Sequence, residues 1–468
     1  MSPLLSLPNE LLLVVFHHLQ DPYPLYPLST LCRRLHFLSL PIYLSRRGIY
    51  NETCGNISIS AEQIDVLPAL QTSLFLNTVP SLCCAFPNPY SDQDLARFLR
   101  VCCTLQSVGA AKLQFAQAPS SNDDYTEKMH ETYLINVVNI LNKVLEKSCT
   151  TLTIEATPDE ISAITRARFS SKRGRGMRPV SQAHLLTSRI SLSPAALRQS
   201  TLTTFRLHSP LLFTPHCRAW TIDVLNSFHL SSLSINAPAV AADVFNGLLS
   251  QTEIPTLSDL SMVNCRIAPA HLHLFLARHP SISSLHLDNM FVPSAGERLP
   301  PGFLPQLASL SAPAPQIAYF FHALPPAATL RTVRVLCHMT HVDLRLTDTS
   351  LRAAAPRLAP PVALALVLPV PASLPRVIPD VDMVFDADTD SALRFVSTLA
   401  FVFADDDAAL GPVKYAAIAK WAAPFPALRT VELVGSRSTD TAPILAAFQA
   451  RAPDVERVVW HGIVDMNQ

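Results

Sequence analysis

The feature that most constrains this chain is a spacing of apolar residues that returns along most of its length. Its clearest copy is Leu257, Leu260 and Met262 followed by Asn264 and Cys265, which fits the frame L-x-x-L-x-L-x-x-N/C. Weaker copies are Leu202/Phe205/Leu207, Leu230/Leu233/Ile235, Ile282/Leu285/Leu287, Leu307/Leu310 and Leu330/Val333/Val335. Later come Val396/Leu399/Phe401, Leu428/Val431/Leu433 and Val455/Val458/Trp460. From Leu207 to Val335 the third positions follow one another at steps of about 23 to 28 residues. Ala312 stands where the frame wants a large apolar side chain, and between about residues 340 and 400 no frame can be assigned. The last two apolar positions of each triplet alternate, as one face of a short strand requires. Segments 241–249, 268–278, 316–324, 414–421 and 442–450 lie between triplets and are apolar on one side, as amphipathic helices are. A strand and a helix of this size cannot stand alone, so an α/β solenoid of stacked units is expected. Residues 55–200 are less regular. They offer candidate strands at 56–60, 74–77, 112–115 and 151–155 and a candidate helix at 127–147.

The rest of the composition excludes more than it assigns. Hydrophobic residues make up 49 % of the chain and charged residues 15 %, which suits a folded core rather than disorder. Lys+Arg and Asp+Glu each number 36, so no global field draws in nucleic acid or an anionic membrane, and low solubility without a partner is expected. The vicinal pairs Cys83–Cys84 and Cys102–Cys103 lack the two-residue gap of a metal knuckle. Their thiols read as reduced, in a cytoplasmic or nuclear setting. The apolar run 362–370 is too short to span a bilayer. The run 11–16 lacks the basic flank and cleavage site of a secretory signal.

The first forty-odd residues carry the other strong pattern. Leu7, Leu11, Leu12, Val15, Phe16 and Leu19 fall on one helical face, Pro8 sits where a first turn tolerates it, and Glu10 suits the positive end of the helix dipole. The run Asp21-Pro22-Tyr23-Pro24 breaks this helix, and a second apolar segment (Leu28, Leu31, Cys32, Leu35, Leu38, Leu40) is expected to end at Pro41. Leu7-Pro8-Asn9-Glu10-Leu11-Leu12 through Val15-Phe16 and Leu19 resembles the F-box pattern L-P-x-E-[LI]-[LI]-x-x-[IV]-[FL]-x-x-L. Leu28, Leu31, Cys32, Arg33 and Leu35 echo its second half, with Leu35 where the family usually has an aromatic residue. The resemblance implies that these helices dock on a Skp-type adaptor, which joins them to a cullin scaffold. It makes Leu7, Pro8, Glu10, Leu11, Leu12, Val15, Phe16, Leu19, Leu28, Leu31, Cys32 and Leu35 the adaptor-binding residues. Replacing Leu12 and Phe16 with Asp is then expected to abolish docking and leave the repeats folded. The apolar triplets in turn resemble degenerate leucine-rich repeats, of the kind found in fungal-type F-box proteins.

No catalytic constellation appears. With 11 glycines the chain has no phosphate cradle, and neither a nucleophile elbow nor a zinc-protease helix is present. Asp386, Asp388 and Asp390 imitate a calcium loop, but Ser391 and Ser397 stand where its Gly and bidentate Glu belong. Asp405, Asp406 and Asp407 read as a solvated turn. His271 and His273, two apart on a helix, point in different directions. The basic run Arg166, Arg168, Lys172, Arg173, Arg175, Arg178 has loop composition and reads as an exposed insertion.

The expectation is an α/β chain with an F-box-like helical module at 1–48, a divergent first part of a curved leucine-rich-repeat solenoid at 49–200, and the solenoid proper at 201–468. Residues between the apolar strand positions point to the inner face, so Arg206, Ser234, Ser261, His286, Arg334 and Glu432 are the target-contact candidates. The expected function is that of a non-catalytic substrate receptor in a Skp–cullin–F-box ubiquitin ligase, without metal or cofactor. A repeat scaffold with no ligase connection is the alternative.

Overall fold

In a computed structural model, described over residues 6–51, 53–88, 91–116, 124–156, 191–238, 240–290, 303–323, 330–337, 344–352, 358, 362–370, 391–403, 419, 425–434 and 442–461, the apolar triplets become short parallel strands. The chain divides into two compact units, Met1–Ile254 and Pro255–Gln468.

The first unit opens with three helices, α1 (Asn9–His18), α2 (Leu25–Leu31) and α3 (Arg33–Arg46). An antiparallel pair, β1 (Tyr50–Asn51) and β2 (Asn56–Ile59), follows, then a 3-10 turn at Ala61–Val66 and α4 (Leu67–Thr72). Ser60 and Gln63 close that turn as a capping box. Strands and helices then alternate: β3 (Thr78–Phe86), α5 (Asp92–Thr104), β4 (Ser107–Phe115), α6 (Asp124–Leu145), β5 (Thr151–Ala156), α7 (Pro194–Gln199), β6 (Thr204–His208), α8 (Pro215–Ser227), β7 (Ser232–Asn236) and α9 (Ala242–Gln251). Strands β2 to β7 pair in parallel in chain order. Ile59, Cys84, Leu113, Ile154, Leu207 and Ile235 stand in register across them and are all buried. Each large side chain in that row contributes about 1.5–3 kcal/mol. The helices supply the other half of the core. Phe98 of α5 meets Phe86 edge-on at 5.1 Å, and Phe86 stacks on Phe115 at 5.2 Å. Trp220 of α8, fully buried, packs against Phe205 and donates its indole N–H to Asn142 Oδ1 of α6 at 2.8 Å.

The second unit repeats the arrangement with β8 (Asp259–Val263), α10 (Pro269–Arg278), β9 (Ser284–Asp288), β10 (Ser309–Ala312), α11 (Ala314–Ala323), β11 (Thr332–Leu336), α12 (Leu344–Leu351), β12 (Ala363–Val370), β13 (Val396–Phe403), β14 (Thr430–Val434), α13 (Ala442–Gln449) and β15 (Arg457–His461). Strands β8 to β15 pair in parallel in chain order. Leu260, Leu285, Leu310, Val333 and Leu364 form one buried row. Beyond β8 and β9 the chain takes the same left-handed step, at Asn264 (φ 55) and Asn289 (φ 48). Asparagine tolerates that conformation better than most side chains do. Asn289 Nδ2 also donates to Asn264 Oδ1, tying the two turns together.

Three local expectations change. Pro41 lies inside α3 instead of ending it. A proline removes one i to i−4 bond, and the buried contacts of Leu40, Ile42, Tyr43 and Leu44 outweigh that loss. The strand expected at 74–77 begins instead at Thr78 and runs through Pro80. Pro80 has no N–H for the ladder, and opposite it is Gly109, where a Cβ would come within 2.6 Å of the Pro80 carbonyl oxygen. The apolar run 362–370 is β12, a strand within a parallel sheet. Such strands are covered on both faces and lose the alternation that marks the others. The helix expected at 414–421, the acidic runs at 386–390 and 405–407 and the basic run 166–178 lie outside the described residues, apart from the single helical residue Ala419. Among the described residues no helix is long and apolar enough to cross a membrane.

Candidate interaction surfaces

The helical module is assembled by arginines of α3 as well as by apolar burial. Arg34 donates to Asn9 Oδ1 at 2.8 Å and to the Leu7 carbonyl at 2.5 Å, at the start of α1. Arg46 donates to the carbonyls of Leu19 and His17, the latter at 2.6 Å, and so places a cation at the negative end of the α1 dipole. Between these two clamps Leu12 and Phe16 face inward with Leu25, Leu35, Leu40 and Leu44, all buried.

The module is also tied to the elements after it. His36 is buried, its Nδ1–H donates to the Ser29 carbonyl at 3.2 Å, and its Nε2 accepts the Leu74 N–H at 3.1 Å. This pair of bonds requires the neutral imidazole with its proton on Nδ1. Arg47 bonds Tyr23 Oη at 3.1 Å and Asp65 at 2.6 Å, and Gln63 donates back to the Arg47 carbonyl.

The twelve adaptor-binding residues expected from sequence separate into three groups. Leu12, Phe16 and Leu35 are buried in the module's own core. Leu7, Leu19, Leu28 and Cys32 are half-buried. Pro8, Glu10, Leu11, Val15 and Leu31 are exposed, Leu31 at 68 %. An Asp at Leu12 or Phe16 would therefore place a carboxylate inside the module and report on folding, not on docking. Sequence reasoning missed three exposed apolar side chains, Val14, Phe37 and Leu74. Leu11, Val14 and Val15 share one face of α1 at the i, i+3, i+4 spacing, a signal the sequence already contained. Of the large apolar side chains exposed among the described residues, all but Leu197 and Leu274 fall between Leu11 and Leu74.

The strands present a second, polar surface on the side away from their buried rows. In the first unit Ser58, Cys83, Lys112, Thr153, Arg206 and Ser234 stand in register across β2 to β7. Two residues further on come Ala85, Gln114, Glu155 and His208. Lys112 Nζ lies 2.8 Å from one Glu155 oxygen, and Gln114 Nε2 donates to the other at 2.7 Å. His208 Nε2 lies 3.0 Å from Ser234 Oγ. The structure thus brings the predicted Arg206 and Ser234 into one array with Lys112, Gln114, Glu155 and His208, which the sequence did not single out.

In the second unit Ser261, His286, Ser311 and Arg334 are in register across β8 to β11. Arg334 reaches Glu432 of β14 at 3.5 Å. The two are offset in register: Arg334 stands beside Ala365, which pairs with Thr398, whereas Glu432 stands beside Ala400, which pairs with Val367. Burial pushes the His286 imidazole below its ordinary range; Asp288 opposes this and Arg334 adds to it.

Among the described residues no three His, Cys, Asp or Glu side chains converge as a metal site, and no cysteine forms a disulfide. Burial pushes the Cys149 thiol up to about 12 and the Cys217 thiol up to about 11, so both stay protonated. His273 stacks on Tyr319 at 5.3 Å.

Residues 4–48 match the F-box-like family, so the module that displays the apolar α1 face is an F-box-like domain. A search of curated proteins returned no match to the chain.

Proposed function

We infer that the protein is a substrate receptor of a Skp–cullin–F-box type ubiquitin ligase. In this reading the F-box-like domain docks a Skp-type adaptor, through it a cullin scaffold, and the strands and helices behind it act as a curved leucine-rich-repeat solenoid that recruits a target protein. The observation that carries the reading is the coincidence of the F-box-like match at 4–48 with the exposed apolar side chains of the same helices, Leu11, Val14, Val15 and Leu31. Exposed apolar side chains clustered on a folded module mark a partner surface. The receptor itself is non-catalytic and works in the cytoplasm or nucleus, and ligase chemistry belongs to other subunits.

The test is co-purification of the chain with a Skp-type adaptor. The double variant Leu11→Asp, Val15→Asp should lose the adaptor while its unfolding temperature stays within a degree or two, because neither side chain is part of the core. Leu274→Asp, an equally exposed leucine on α10, should retain it. Adaptor capture that survives the α1 substitutions would refute the docking surface.

A further inference from the structure

We propose that the docked adaptor reaches past the F-box-like match, onto an apolar strip that runs from Leu31 through Arg33 and Phe37 to Phe75 and Leu74. The proposal deepens the adaptor-docking reading and rests on it. Leu31 closes α2, Arg33 opens α3 two residues later, and both side chains are exposed. The Arg33 guanidinium lies over the Phe37 ring, 5.7 Å from its centre. Phe37 is 41 % exposed, and its ring centre stands 6.4 Å from that of Phe75. Phe75 is half-buried and adjoins Leu74, which is 56 % exposed. The strip therefore starts inside the family match at 4–48 and ends outside it, since Leu74 and Phe75 follow α4.

Continuity, size and rigidity assign the strip to the adaptor. Its near end, Leu31, already belongs to the docking surface, so a partner covering Leu31 meets Arg33 and Phe37 next. A specific interface takes about 20–30 residues from each partner, whereas Leu11, Val14, Val15 and Leu31 are four side chains. The far end is anchored to the module. The Leu74 N–H donates to Nε2 of the buried His36 at 3.1 Å, and the His36 ring lies edge-on to Phe37 at 5.7 Å and to Phe75 at 6.2 Å. Leu74 is thus held to α3 in the free chain, so covering it costs little ordering entropy. An exposed arginine on an apolar strip calls for a matching surface that is apolar with a carboxylate facing Arg33.

The test titrates a purified Skp-type adaptor into the full chain by calorimetry, with the mass of the free chain followed by light scattering. Leu74→Asp should weaken the adaptor by about tenfold or more, since its carboxylate would be buried against an apolar partner. Arg33→Glu should weaken it several-fold, and Leu197→Asp, an exposed leucine on α7, should leave it unchanged. Hydrogen exchange of the unsubstituted chain reads the same footprint without a variant: residues 73–77 should gain protection when the adaptor binds, and those around Leu274 should not. Unchanged affinity in both Leu74→Asp and Arg33→Glu, or no added protection at 73–77, would overturn the proposal. If the Leu11→Asp, Val15→Asp variant still loses the adaptor in that case, the docking reading stands without it. No adaptor binding by the unsubstituted chain would remove the docking reading and this one together. A dimeric free chain that Leu74→Asp turns into a monomer would assign the strip to a second copy and overturn the choice of adaptor.

Discussion

The helical module and the strand face of the first unit turn opposite chemistries to solvent. On α1 the exposed side is Leu11, Val14 and Val15, and at the end of α2 it is Leu31. On β4 to β7 the side away from the buried row carries Lys112 and Arg206, both half-buried, alternating with the buried Thr153 and Ser234. Both surfaces rest on apolar cores, so the difference lies in what each leaves outside. An apolar surface gains affinity from the area it buries and is nearly indifferent to salt, whereas a charged one gains selectivity and is screened. On the proposed reading the first surface serves a constant adaptor and the second a variable target.

The comparison is broken most strongly on α1. Leu12→Asp should unfold the module, at a cost of about 4 kcal/mol or more, while Leu11→Asp should change stability by less than about 0.5 kcal/mol. Urea unfolding of the two variants checks this, and similar midpoints would mean that the inner and outer sides of α1 are wrongly assigned. The strand side has its own sensitive point, since Gly109→Ala sets a Cβ against the Pro80 carbonyl oxygen. About 1–3 kcal/mol of overpacking strain is expected there, with adaptor capture retained at low temperature.

The smallest effect concerns pH and the second unit. His286 has a folded pKa depressed below its unfolded value of 6.5, mainly by burial. Its contribution is complete above about pH 6.5 and is lost as pH falls through the folded pKa, because the unfolded chain then binds the proton more readily. His286→Asn should therefore narrow the difference in unfolding temperature between about pH 8 and about pH 5. An unchanged difference would place the pH response elsewhere.

Much of this was legible in the sequence because its signals are local. The triplets at 205/207, 233/235, 260/262 and 285/287 each mark a strand, since alternation within five residues needs no knowledge of the neighbours. The same reasoning failed at β3, where Pro80 disguises a strand, and at β12, whose run of Ala, Leu and Val shows no polar side. Among the site residues, Arg206 and Ser234 could be placed on the outward side by parity alone. Their companions could not, because Gln114 and Glu155 meet across 41 positions of chain.

The F-box-like stretch shows the same division most clearly. Sequence by itself determined that residues 4–48 match that family, that apolar helices lie within them and that strands and helices alternate behind them, because helix and strand periods are properties of neighbouring residues. It could not decide which side of α1 faces out, because Leu11, Leu12, Val14, Val15 and Phe16 leave the helix apolar nearly all round. That was decided by the tertiary structure, where α3 clamps α1 at both ends through Arg34 and Arg46 and turns Leu12 and Phe16 inward. Burial is a relation between segments distant in the chain, and only their packing selects the side chains left for a partner.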